Sequence, residues 1–249
     1  MKTLLLLCSG LLFASSLQAG TDRRSGWTDA RQLVLVTIPE WDSHDGTLHA
    51  FDRTDAGWRA ARAPTPVSIG RAGAAWGIGL HEPQPGPRKR EGDGRSPAGV
   101  FALGTAFGYA RSARTGLPYA AMEAAHWCID VADSPLYNRI VDAREVGTAA
   151  VAGSTEPMRL DLHAAGDQRY ELGFVIEHNA AGEAGAGSCI FAHLWGKPGQ
   201  PTAGCTAMAP PAMRDLLEWL DASRHPVFVL LPDSEYRRLQ ASWSLPRLP

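Results

Sequence analysis

Residues 188–208 read SCIFAHLWGKPGQPTAGCTAM. The opening run is nearly all apolar, which marks a central strand buried on both faces. A loop rich in proline and glycine follows. His193 sits toward the end of the strand, and Cys205 comes twelve residues later, beyond the loop. Working outward, YELGFVIEHN (170–179) and HPVFVLLP (225–232) read as further strands, the second of them buried. RQLVLVTIPEW (31–41) and GTLHAFDRT (46–54) read as two more, with a polar turn at Asp45-Gly46 between them. One helix is clear near 210–222: it starts at Pro210-Pro211, and Met213, Leu216, Leu217 and Leu220 form one apolar stripe. Residues 57–80 read as two strands around prolines and then a glycine-rich segment. Residues 81–104 read as loop and turn, and 105–142 as irregular. Strands dominate, and no Pro/Ser/Gly linker divides the chain. The expectation is a single, mainly β domain over 30–232 with few helices, followed by a loose tail at 237–249.

The chain has 249 residues, 45% apolar and 20% charged, which is enough for a real core and unlike a disordered chain. A net charge of −2 offers no broad basic field, so neither nucleic acid nor anionic lipid is an expected partner. The N-terminus, MKTLLLLCSGLLFASSLQAG, has Lys2, a short uncharged apolar run and a small residue before a cut after Ala19. That pattern is a signal peptide at 1–19. The apolar run is too short to span a bilayer, and Leu7 before Cys8 does not suit a lipid-anchor site. The mature chain is therefore expected in the periplasm or otherwise secreted, without a transmembrane segment, in an oxidising compartment. Without Cys8, three cysteines remain: Cys128, Cys189 and Cys205. An odd count in an exported protein suggests one pair and one free thiol, and three pairings are open. If Cys205 is a catalytic thiol, the pair must be Cys128–Cys189, unless these two are free thiols as well.

A thiol acyl transferase needs a partly exposed cysteine of depressed pKa beside a base, and N–H groups aimed at the developing oxyanion. Cys205 follows Thr202-Ala203-Gly204, and the glycine permits a sharp turn and close approach to a carbonyl. The N–H groups of Gly204, Cys205 and Thr206 are the candidate oxyanion donors. His193 is the candidate base, because the loop can fold back and set Cys205 beside the strand end. Spacing alone serves equally well for a packed histidine and a buried thiol.

The segment IFAHLW…PTAGCTAM resembles the active-site signature of the YkuD-type L,D-transpeptidases: a strand ending in histidine, a loop, then Ser/Thr-x-Gly-Cys. The matching positions are His193, Thr202, Gly204 and Cys205. Residues 92–101, GDGRSPAGVF, look like a second family segment, with Ser96 in place of threonine. HWCIDVADSPLYNRIV (126–141) is similar to a stretch in one branch of that family. The likeness runs from roughly residue 30 to 232. It implies a β-rich sandwich or barrel domain, Cys205 as nucleophile, His193 as general base and a peptidoglycan stem peptide as donor. The acceptor would be an amine of a neighbouring stem, a protein, or water, and a monomer is expected. No metal or organic cofactor is implied. The family usually carries arginine two residues after the cysteine, and Ala207 stands there instead. That departure points to a changed substrate or to hydrolysis, as an L,D-carboxypeptidase or endopeptidase. Arg88, Lys89, Arg90 and Lys197 are candidates for a replacement charge. A non-catalytic wall-binding domain that keeps the fold is a further alternative.

Other residues have readings of their own. His178 is a rival base or a surface turn histidine, and Glu177 a residue that could orient a base or simply face solvent. Trp195 could line a peptide groove or belong to the core. Asp93 reads as a turn residue and Ser96-Pro97 as shaping the mouth of the site; Asp93, Ser96 and Trp195 are the candidate substrate contacts. His81, His126 and His163 share no metal-ligand spacing, and a set of His178, His193 and Cys205 has no close-spaced pair. Gly92, Gly94 and Gly99 form no phosphate loop, since no Gly-Lys-Ser/Thr follows.

Overall fold

A strand buried at every residue needs neighbours on both edges and cover on both faces. QLVLVTI meets that demand as β1 (Gln32–Ile38), wholly buried between one antiparallel and one parallel partner. The computed structural model describes residues 27–248; the signal segment expected at 1–19 lies outside them. The later strands are β2 (Asp45–Thr54), β3 (Gly57–Ala60), β4 (Thr65–Ser68), β5 (Ala74–Trp76), β6 (Ser96–Gly108) and β7 (Tyr119–Ala121). They continue with β8 (His126–Cys128), β9 (Ile140–Asp142), β10 (Glu156–Pro157), β11 (Leu172–Ile176), β12 (Phe191–Leu194), β13 (Thr206–Met208) and β14 (Val227–Pro232). The helices are α1 (Ala143–Val146), α2 (Leu160–His163), α3 (Pro210–Trp219) and α4 (Asp233–Leu239).

Eight strands close a barrel in the order β1-β14-β6-β11-β12-β13-β4-β2, and the β1–β2 pairing completes the ring. Closure leaves no free edge on those strands. β3 extends β2, while β5 and β7 pair with β6. The mainly β reading holds, with helices few and short. α3 carries the predicted stripe, and Met213, Leu216, Leu217 and Leu220 are all buried in the main core. No described helix is long and apolar enough to cross a membrane.

Three local expectations change. Asp45-Gly46 is the start of β2, not a turn; a Cβ on Gly46 would stand 3.0 Å from both Ile38 Cγ2 and Thr37 O, so the glycine lets two strands cross closely. The second half of the expected loop at 81–104 belongs to β6, the 13-residue strand at the heart of the barrel. Pro97, Gly99 and Gly104 hide it from a pattern search. Gly99 (φ +134°) makes room for the His81 ring, which a Cβ would meet at 2.0 Å. The stretch read as irregular contributes β7, β8 and β9, and β10-β8-β9 form a small separate sheet. A second apolar cluster, including Phe107, Met158, Tyr170 and Phe191, joins that sheet to the barrel.

Residues 237–248 are not a loose tail. Leu239 and Leu245 are buried in the main core, and Trp243 packs on His81 and Trp76 with ring centroids 5.5 and 6.4 Å apart. Tyr236 Oη donates to Pro246 O at 2.6 Å, and Trp58 Nε1 donates to Ser244 O at 2.9 Å. Isolated apolar residues among charges insert one at a time, so no periodicity marks them.

Candidate active site

β12 and β13 are parallel neighbours, with His193 opposite Ala207 and Ala192 opposite Thr206. Two parallel strands need a crossover of about a dozen residues. Here the Pro/Gly-rich loop 195–205 is that crossover. It is zipped to the segment after β4: Thr202 N–H donates to Ile69 O at 2.9 Å, and Arg71 N–H donates to Thr202 O at 2.9 Å. Cys205 thus enters β13 two residues from the position that faces His193, and both side chains line one cavity of about 400 Å³. A larger cavity of about 670 Å³ borders Phe191 and Cys128 and includes Glu177, but neither His193 nor Cys205.

The turn before the cysteine is held by side-chain hydroxyls. Thr202 Oγ1 donates to Cys205 O at 2.6 Å and accepts the Gly204 N–H at 3.1 Å. Ser96 Oγ, fully buried, donates to Gly204 O at 2.6 Å and accepts the Gly70 N–H at 2.9 Å. A Cβ on Gly204 would press to 3.1 Å of Arg95 O, so the glycine serves close packing. Its N–H is taken up by Thr202, which removes it from the expected oxyanion donors. Thr206 is buried in β13 opposite Ala192.

The Cys205 thiol is 8% exposed at the residue level. Its sulfur accepts the Phe191 N–H at 3.3 Å and donates toward Cys189 O at 3.5 Å. Burial pushes the thiol up to about 12, and the neighbouring Glu156 charge adds to that. The expectation of a partly exposed, depressed thiol is therefore not met. His193 is also buried; burial pushes its imidazole down to about 4, against the hydrogen bond to Leu194. His193 Nδ1 lies 2.7 Å from Leu194 O, and a carbonyl can only accept, so Nδ1 carries the proton and Nε2 is the basic nitrogen. At neutral pH the two groups are a thiol and a neutral imidazole.

Tyr170 and Glu156, which no spacing marked, stand on the same wall. The Tyr170 ring packs edge-on against His193 at 5.2 Å, and its hydroxyl donates to Glu156 Oε1. Glu156 is part-exposed as a residue, but its carboxyl is enclosed, and burial raises it to about 7. Burial likewise raises Tyr170 well above the usual phenol range. Arg71, Lys89 and Arg169 are the cations on the wall. Of the four candidate replacement charges, Lys89 is there; Arg88, Arg90 and Lys197 are not. Ala207 is buried in β13, between His193 on one side and Ser68 on the other.

Cys128 and Cys189 form a disulfide, with Cα atoms 6.0 Å apart, and Cys205 is the free thiol among the described residues. Cys189 sits in the left-handed region (φ +56°), its N–H held by Asn138 Oδ1 at 2.8 Å. The remaining sequence candidates lie elsewhere. Trp195 donates to Ser68 Oγ at 2.6 Å and does not line the cavity. Asp93 caps its own turn, accepting from Lys89 Nζ at 2.6 Å and from Arg90 N–H at 2.8 Å. Ser96 braces the loop before Cys205, and it too is off the wall. His178 is not a surface residue: it is buried, accepts the Ile78 N–H on Nδ1 at 3.2 Å and donates from Nε2 to Ala186 O at 3.0 Å. Both ring nitrogens are spent, so it is no rival base.

No protein-family model matches the chain, and no curated protein or solved structure matches it.

Proposed function

We propose that the chain is an exported cysteine acyl transferase, resembling the YkuD-type L,D-transpeptidases, that acts on peptidoglycan stem peptides. The observation that carries this reading is that Cys205, the free cysteine among the described residues, and His193, whose Nδ1 is committed to Leu194 O, line one cavity. His193 would take the thiol proton as the sulfur attacks the carbonyl of an L-to-D peptide bond. A carbon–sulfur bond forms, the carbon–nitrogen bond breaks, and the proton passes to the departing amine. An incoming amine or water then cleaves the thioester and restores the thiol. Burial keeps both groups neutral beforehand, so proton transfer and attack are coupled rather than prepared by a standing ion pair. The main-chain N–H groups of Cys205 and Thr206 are the remaining oxyanion donors in this scheme. The Cys128–Cys189 disulfide supports the oxidising compartment that an exported protein meets.

A second reading, a wall-binding domain without turnover, draws on the raised thiol pKa. One experiment separates the two. Purified protein is incubated with muropeptides bearing tetrapeptide stems, and the products are read by mass. Cross-linked or exchanged products mean transfer, and trimmed monomers mean hydrolysis. Absence of any product, or full activity in Cys205→Ala, would sink the acyl-transfer reading.

A further inference from the structure

The cavity's charges are matched with one exception. Lys89 Nζ lies 2.6 Å from Asp93 Oδ1, and Arg169 Nη2 lies 2.7 Å from Asp167 Oδ2. Glu91 accepts from Tyr137 Oη and Ser188 Oγ, Asp130 from Ser154 and Thr155, and Glu156 from Tyr170. Arg71 is exposed at the cavity wall, and no carboxylate among the described residues pairs with it. Its main chain is fixed. Its N–H donates to Thr202 O at 2.9 Å, and Gly70 bridges to Thr202, which ties this residue to the nucleophile loop. Its guanidinium lies over Gly94, where a Cβ would stand 3.1 Å from Cζ and 3.2 Å from Nε and Nη2. Gly94 also has φ +71°, so the turn favours glycine there.

A guanidinium at a cavity wall without a carboxylate partner presents a planar fork that fits a carboxylate. We propose that Arg71 binds a free carboxylate of the acyl donor, close to the bond that Cys205 attacks. The site would thereby select peptides cut at their terminal residue over internal linkages. This rests on Cys205 acting as an acyl-transfer nucleophile.

The test uses two peptides ending in the same L-D pair, one with a free C-terminal carboxylate and one with a carboxamide. Binding to full-length Cys205→Ala is measured by calorimetry at low salt. The carboxylate peptide is expected to bind at least about tenfold tighter. Adding Arg71→Ala should bring the ratio near one, and Arg71→Lys should keep part of it. Equal binding of the two peptides, no binding of either, or a preference that survives Arg71→Ala would overturn the proposal. With Cys205 intact, thioester formation read by intact mass should follow the same order. A preference that depends on Arg71, with no thioester from either peptide, would leave the carboxylate site standing and sink the acyl-transfer reading instead.

Discussion

Ser96 Oγ donates to Gly204 O at 2.6 Å across 108 positions of sequence, and the same oxygen accepts the Gly70 N–H at 2.9 Å. One buried hydroxyl therefore joins the start of β6, the segment after β4 and the turn that carries Cys205. Ser96→Ala strands a buried donor and a buried acceptor. It should destabilise the fold by about 1–3 kcal/mol, read as a lower urea midpoint at unchanged slope. An unaltered midpoint would mean that the loop is held without this bridge.

Glu156 gives the molecule a pH signature. Its carboxyl is raised from an ordinary 4.5 to about 7 by burial. Between those values the folded chain holds a proton that the unfolded chain has released. Stability attributable to Glu156 therefore falls as pH rises through that window, and the loss is complete above about 7. Glu156→Gln keeps an acceptor for Tyr170 and removes the titration. The variant should be the more stable protein at pH 8, by up to about 3 kcal/mol, with the gap closing below about pH 5. His178 and His193, both pushed down to about 4, destabilise below their ordinary 6.5 in either protein and cancel in the difference. A gap that does not change with pH would show that Glu156 titrates normally.

Much of the barrel was legible because its strands announce themselves. LVLV at 33–36 and VFVLLP at 227–232 are unbroken apolar runs, and α3 has one stripe behind two prolines. β6 was not legible, since its glycines answer to side chains distant in sequence, His81 over Gly99 and Glu177 over Gly104. The same limit applies to the site. His193, Thr202, Gly204 and Cys205 lie within one short motif, so their proximity could be read. Arg71, Glu156 and Tyr170 reach the cavity from three separate segments, and nothing local distinguishes them. Their positions mark Ser96 and Trp195 in the sequence, but only the tertiary contacts show that one braces the loop and the other is pinned to Ser68.

The thiol itself can be timed. With its pKa pushed up to about 12 by burial, Cys205 should react with iodoacetamide at pH 8 at least about a hundredfold more slowly than an ordinary exposed thiol. The rate should still be climbing at pH 9. Alkylation of the non-reduced protein, followed by peptide mass, reads both features at one site. A rate that levels off near neutral pH would instead mean a preformed thiolate, and would replace the coupled proton transfer argued for His193.

The disulfide reaches the Cys205 thiol through one atom. Cys189 is tied to Cys128, 61 positions away, and its carbonyl oxygen lies 3.5 Å from Cys205 Sγ. Replacing both bridge cysteines by alanine releases a long loop and should cost about 2–5 kcal/mol, read by thermal or urea unfolding. It should also free a main-chain segment held in the left-handed region, at φ +56° for Cys189. Once that segment moves, water and reagent gain access to the sulfur. In the variant, still folded at low temperature, alkylation of Cys205 should therefore quicken several-fold over the intact protein, while an exposed model thiol keeps its rate. A loss of stability with no change in alkylation would separate the two roles, leaving the bridge as a staple for the small β10-β8-β9 sheet and assigning the sealing of the thiol to the packing of Phe191 and Tyr170.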